Sequence, residues 1–155
     1  MRAVSKKNSF WIFWFGPMWL LLGFSRAVIL LIPFRHLSGM LGDRFDPWPH
    51  VPLVTAEEGR RARDISHVVQ SASRYTPWKS NCYTSAIAAR LLLGLYGIPY
   101  IVFLGLRKDD ETEKYSAHAW VVSGPVRVVG GSGFGLYAPV GCFGKYGRAL
   151  LFANR

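Results

Sequence analysis

After Glu113 the chain contains no aspartate or glutamate. Any catalytic chemistry in that C-terminal stretch must work without a carboxylate of its own. Cysteine is nearly as scarce. Cys82 and Cys142 are the only two, too few for a disulfide scaffold, and nothing in their placement indicates a single bridge. The histidines His36, His50 and His67 have no ligand spacing with one another or with the cysteines, which excludes a zinc site. Gly130-Gly131-Ser132-Gly133 follows an apolar strand, but no helix and no Lys-Ser/Thr pair close it. It is therefore not a phosphate loop, and no cofactor is expected. No basic run is interleaved with stacking aromatics, so nucleic acid is not the expected partner. Internal repeats and low-complexity tracts are also missing.

What remains is a 155-residue chain, half hydrophobic, with 19 Lys and Arg against 9 Asp and Glu, a net charge of +10. That length supports one core. The positive excess is spread along the chain and favours acidic partners such as an acidic peptide or protein, or anionic lipid.

Phe10 to Phe24, FWIFWFGPMWLLLGF, is apolar throughout and follows the basic MRAVSKKN. A signal peptide would have this charge and length, but no small-x-small cleavage site follows and the apolar pattern resumes at Ala27. A membrane span would have to run on to Ile32 and enclose Arg26, which is costly. The preferred reading is one or two helices, broken or kinked at Gly16-Pro17. They would pack partly on the domain and partly on a membrane surface or a partner, with Trp11, Trp14 and Trp19 suited to an interface. The protein is then cytoplasmic and membrane-associated through this segment. Residues 1–52 form this apolar helical region and its connection, and residues 53–155 the main domain, the two making one compact unit. The Gly/Asp/Pro cluster from Gly39 to Pro52 reads as a surface connection.

A second helix starts at about Thr55, where Thr55 and Glu58 fit a capping box, and buries Ile65, Val68 and Val69. A third runs from Cys82 to about Tyr96, with a buried stripe at Ala86, Ala89, Leu92 and Leu93, and stops at Gly97-Ile98-Pro99. Strands follow at Tyr100–Leu106, Tyr115–Val122 and Val126–Val129. Arg107–Lys114 is a charged loop, and Ser123-Gly124-Pro125 makes the last two strands a hairpin. The fold class is α+β: N-terminal apolar helices and a small antiparallel sheet.

The third helix opens on KSNCYTS. A cysteine in a first helical turn lies among unpaired backbone N–H groups, which favour a thiolate and can hold an oxyanion. It becomes a useful nucleophile when an imidazole stands beside it. His118, in SAHAW, sits on a strand and alternates with Trp120 and Val122. If the sheet packs on the Cys82 helix, His118 can face its start, and the small Ala117 and Ala119 allow close approach. Each residue alone also fits a bland role: cysteine is commonly a small buried hydrophobe, and a lone histidine an ordinary half-buried one. Together, the helix-opening Cys, apolar strand and strand-borne His follow the order of papain-like and transglutaminase-like acyl-transfer sites.

Through YTPWKSNCYTSAIAARLLLGLYGIPYIVFLGLRKD and AHAWVVSGPVRVVGG, and more weakly through LLIPFRHLSGMLG and YAPVGCFG, the sequence resembles the lasso-peptide leader peptidases. These are the transglutaminase-like B proteins of lasso-peptide biosynthesis. The resemblance covers most of the chain. It implies a papain/transglutaminase-like cysteine protease that removes the leader from a ribosomally made precursor, with Cys82 as nucleophile and His118 as general base. It also implies two partners: a leader-recognition (RRE) domain, expected here as a separate protein, and an asparagine-synthetase-like cyclase that closes the lasso. A transglutaminase-like acyltransferase and a non-catalytic, membrane-associated scaffold are the alternatives.

One departure from the family pattern stands out. Relatives carry an aspartate after the histidine hairpin, at a place corresponding to the vicinity of Gly130, and here no acid follows Glu113. The candidates for the group that orients the imidazole are Asp64, Asn81, Ser132, Asn154 and a backbone carbonyl. Otherwise the site is a plain Cys–His dyad or an impaired one. Trp78 either lines the substrate groove or covers the core. Trp120 is a second groove candidate, though its strand position is more often a core one. Cys142 reads as a packed core residue.

Overall fold

The computed structural model describes residues 2–31, 36, 43–45, 51–77, 82–109, 114–131 and 135–145. Within them are three helices, α1 (Arg2–Leu31), α2 (Ala56–Arg74) and α3 (Cys82–Leu95). There are five strands, β1 (Asp43–Phe45), β2 (Tyr100–Lys108), β3 (Tyr115–Ser123), β4 (Val126–Val129) and β5 (Ala138–Lys145). The strands form one antiparallel sheet in the order β1-β5-β2-β3-β4. This is the expected α+β class.

Local chemistry explains most boundaries. Thr55 caps α2: its hydroxyl accepts from the Glu58 amide at 3.2 Å, and the Glu58 carboxylate accepts from the Thr55 amide at 2.6 Å, satisfying two end donors reciprocally. α3 ends where Gly97 takes φ +65°, with the Ile98 amide donating back to the Leu93 carbonyl at 3.0 Å, a glycine C-terminal stop. Gly124, at φ +55°, makes the β3–β4 turn.

The sheet has two differently covered faces. Strand alternation puts Tyr100, Val102, Leu104, Ala119, Val121 and Val128 on one face. There they form the main core with Met18 and Leu22 of α1, Ile65 and Val69 of α2, and Ala89 and Leu93 of α3. The other face carries a smaller cluster of Ile101, Phe103, Trp120, Val122 and Cys142, with Tyr137 against it. α2 also protects the exposed edge of the sheet. Ser66 Oγ donates to the Val128 carbonyl at 2.6 Å and Gln70 Nε2 to the same oxygen at 3.3 Å, so that an edge strand's outward acceptor does not go unpaired.

Three features refine or differ from the sequence expectation. Of the one or two helices expected, α1 is one continuous helix with Pro17 inside it and no break at Gly16-Pro17. A proline removes one backbone bond, but the adjoining turns are pinned to the domain by Trp14, whose Nε1 donates to Tyr96 Oη at 2.8 Å, and by the fully buried Met18. Tertiary contact thus carries the helix through its weak point. The connection before Pro52 contains β1, which pairs with β5. β5 itself runs through Pro139, Gly141 and Gly144, a composition that does not read as a strand. Its glycines reflect crowding: a Cβ on Gly144 would strike the Tyr100 carbonyl.

Because Leu22 is fully buried between α1 and the domain, Leu22→Ala is expected to cost about 2–5 kcal/mol. Thr55→Ala, which removes the cap, should cost about 1 kcal/mol. Both are read from urea unfolding midpoints. A Leu22→Ala variant as stable as the parent would show that α1 lies outside the cooperative unit.

Candidate active site

Cys82 is the first residue of α3, half-buried, and packs with Tyr83 and Ile87 against the main core. No acidic side chain occupies the first turn of α3, so its unpaired amides face no competing carboxylate. Burial, and to a lesser degree the neighbouring Cys82, pushes the Tyr83 phenol upward from its ordinary value, which keeps it neutral at physiological pH.

Residues 96–99 turn the chain back from α3 into β2. α3 packs on β2 and more extensively on β3. Its 14 residues span about 21 Å at ~1.5 Å per residue. About six strand residues cover the same length, which from Tyr100 reaches Gly105 and Leu106. Their partners on β3 are His118 and Ala117.

The His118 ring is held on three sides. Its Nε2 lies 3.0 Å from the Gly130 carbonyl oxygen. A carbonyl can only accept, so Nε2 carries the proton and Nδ1 presents its lone pair. The imidazole stacks on Tyr137 at 5.0 Å between centroids and 25° between planes, and on Trp120 at 6.0 Å and 24°. Trp120 stacks in turn on Phe103 at 5.4 Å, and the Arg107 guanidinium lies 5.5 Å from the Tyr137 centroid. The ladder fixes the ring plane while the hydrogen bond fixes the tautomer.

Two glycines make room for this. Gly105 faces His118 across the β2–β3 pair, and a Cβ there would come within 2.7–2.8 Å of the Trp120 ring and of Tyr137 Cβ. Gly130 has φ +72°, and a Cβ on it would meet the Ala119 carbonyl and the Trp120 backbone. The place corresponding to the family's aspartate therefore accepts no side chain, and its main-chain oxygen is what meets the imidazole.

The structure modifies several expectations. His118 shares the face of Trp120, and Ala119 the face of α3, so the imidazole does not point straight at the helix start. The small Ala119 is what lies beneath α3. The described hydrogen bond of His118 goes to Gly130, not to Cys82. Asp64 is not brought to the imidazole. It lines a cleft between α1 and α2 with Arg60, Arg61 and Arg63, on the helical side of the sheet. Trp120 is 4 % exposed and serves as the floor under His118, not as an open groove wall. Trp78, Asn81, Ser132 and Asn154 lie outside the described residues. Tyr137 escaped the sequence reading because it precedes a strand that glycine and proline disguise; its only signal was an aromatic residue inside the weakly matching YAPVGCFG.

The family model described as the transglutaminase-like superfamily matches residues 28–140, well over half of the chain. The chain belongs to the transglutaminase-like superfamily. Neither the curated proteins nor the solved structures give a match. The superfamily is typically cysteine-based in its catalysis and includes both cysteine proteases and acyltransferases. In this transglutaminase-like domain the matched segment takes in α2, the Cys82 helix and the β2–β3–β4 meander with His118.

The two thiols are set in contrasting environments. Cys142 is buried in the second core cluster, and burial raises its pKa to about 11. At pH 8 only about a thousandth of it is thiolate. Cys82 is half-exposed at a helix start. Iodoacetamide applied to the native protein at pH 8 is expected to label Cys82 and leave Cys142 unmodified until the protein is unfolded, as read by peptide mass spectrometry. Equal labelling of both would contradict this assignment of environments.

Proposed function

We propose that this transglutaminase-like protein is a cysteine peptidase that removes the leader from a ribosomally made lasso-peptide precursor, with Cys82 as nucleophile and His118 as general base. The observation that most supports it is the His118–Gly130 hydrogen bond, because with Nε2 donating there, Nδ1 is the basic nitrogen of a ring stacked on Tyr137 and Trp120. In this mechanism Nδ1 takes the thiol proton as Sγ attacks the scissile carbonyl. The amides opening α3 stabilise the oxyanion. The tetrahedral species collapses to a thioester, and the proton passes from Nδ1 to the leaving amine. Water then attacks the thioester, giving its proton to Nδ1, and the thiol is regenerated. The carbonyl of Gly130 does the orienting that a carboxylate does in a triad. The positive surface suits an acidic stretch of peptide. A separate leader-recognition protein delivers the precursor, and an asparagine-synthetase-like cyclase takes the product.

Two other outcomes have their own support. An amine in place of water would make the same thioester an acyl-transfer intermediate. The placement of the imidazole on the face away from α3, with no acid beside it, favours a non-catalytic relative that binds the precursor without turnover. Mass spectrometry of a precursor peptide incubated with the protein separates the three as cleaved leader, amine adduct and unchanged peptide.

On the peptidase reading, Cys82→Ala and His118→Ala should each lower cleavage by at least about a hundredfold. Cys142→Ala and Asp64→Ala should stay within a few-fold of the parent. Tyr137→Phe should keep activity and Tyr137→Ala lose about a hundredfold through misorientation of the ring. Gly130→Asp, far from restoring a triad, should also lose activity. An active His118→Ala protein would sink the mechanism, and an active Gly130→Asp protein would sink the role given to the Gly130 carbonyl.

A further inference from the structure

Between Ser9 and Leu31, α1 is long and apolar enough to cross a membrane, yet only 17 % of its most apolar window is buried. The buried part is a single stripe. Met18, Leu22 and Ser25, spaced i, i+4 and i+7, are between 0 and 1 % exposed and dock on α2 and α3. The polar anchors lie along the same docked side: Trp14 bonds to Tyr96, and Trp19 Nε1 donates to the Tyr75 carbonyl at 3.2 Å. The opposite side carries Ile12, Phe13, Leu20, Phe24, Leu30 and Leu31, each between 65 and 81 % exposed. From Phe10 to Leu31 the sequence has only two polar side chains. Ser25 is buried and Arg26 is half-buried. The outward face of the helix is therefore unbroken apolar surface over its membrane-length stretch, a contiguous patch that water does not tolerate uncovered.

We infer that this outward face of α1 lies in the interfacial layer of an anionic lipid bilayer, with the helix parallel to the membrane plane. Two observations choose lipid over another occupant. The first is charge. Arg2, Lys6 and Lys7 precede the apolar stretch. Beside its start, a cleft of about 900 Å³ between α1 and α2 is lined by Arg60, Arg61 and Arg63, with Glu57 and Asp64 as its acids among the described residues. Arg61 is held over the Phe10 and Tyr96 rings at 5.0 and 5.2 Å. Cations flanking an apolar helix face are the pattern of a surface-bound helix on phosphate headgroups. The second is docking. A spanning helix is surrounded by lipid, whereas α1 is committed along one side to α2 and α3. The domain thus supplies the polar face that an interfacial helix otherwise carries itself.

The test is vesicle flotation of the full chain, with phosphatidylcholine vesicles set against vesicles containing phosphatidylglycerol. The double variant Leu20→Glu, Phe24→Glu serves as comparison; both positions are about two-thirds exposed, so the fold should be retained, and circular dichroism checks it. The parent is expected to float with anionic vesicles at least tenfold more than with neutral ones, to be released by salt, and to lose at least tenfold in the double variant. Tryptophan quenching by lipids labelled at shallow depth, measured on the parent alone, should exceed quenching by lipids labelled at the chain ends. Stronger quenching at the bilayer centre would mean that α1 inserts across the membrane and would overturn the proposal. So would equal flotation of parent and double variant, or a parent that stays off vesicles as a dimer which the double variant makes monomeric.

Discussion

The helix-side face of the β2–β3 pair is the surface on which the rest of the molecule is assembled. Tyr100, Val102, Leu104, Ala119 and Val121 line it; α3 packs directly on it, α2 on α3 and β4, and α1 on α2 and α3. The residues facing α3 from β3 include the small Ala119, which lets the helix settle close to the strand. That closeness has a functional consequence. The start of α3 and the first half of β3 are held at a fixed separation by close packing, and close-packed interfaces yield little. Cys82 is placed by this layer, whereas the His118 ring, on the other face of β3, is placed by Gly130, Tyr137 and Trp120.

Replacing a carboxylate with a carbonyl alters the site in a definable way. A hydrogen bond to a charged group contributes about 1.5–3 kcal/mol and a neutral one about 0.5–1.5. The Gly130 oxygen therefore selects the same tautomer of His118 that an aspartate would, through a weaker bond, and would offer less to an imidazolium. The aromatic ladder offsets part of the difference. A protonated ring between Tyr137 and Trp120 sits against two π faces, and such contacts favour cations by about 0.5–2 kcal/mol each. Geometry enforces this arrangement, since a side chain at Gly130 would collide with β3 and one at Gly105 would dislodge Trp120.

The elements legible in the sequence were those built on local rules. The Thr55 capping box, the Gly97 stop, the β3–β4 turn and the strands with long Val/Ile runs all follow from residues close in sequence. The elements that escaped depend on distant partners. β5 is a strand because β1 and β2 flank it, and its Gly144 marks how close the β2 backbone comes. The continuity of α1 through Pro17 rests on Tyr96 and the core. The site divides in the same way. A cysteine at a helix start and a histidine before Trp120 are local patterns. Of the candidates for the group that orients the imidazole, the backbone carbonyl is the one seen at the ring, but which carbonyl could not be read from side chains: Gly130, at positive φ, turns its oxygen where a side chain does not fit.

The scarcity of acid connects the site to the surface. With no carboxylate after Glu113, β3, β4 and β5 add positive charge through Arg127 and Lys145 and nothing to offset it. The absence that leaves His118 with a neutral partner also contributes to the net charge of +10. A carboxylate at the site would have to be held near the sheet's far face, where Arg107 is already engaged with Tyr137 and would compete for it. Orientation by a neutral dipole avoids that competition. It also leaves the arginine free to steady the aromatic ring that steadies the imidazole. In this domain the geometry of His118 is maintained by stacking and a main-chain bond, two interactions that ionic strength affects far less than it affects an ion pair.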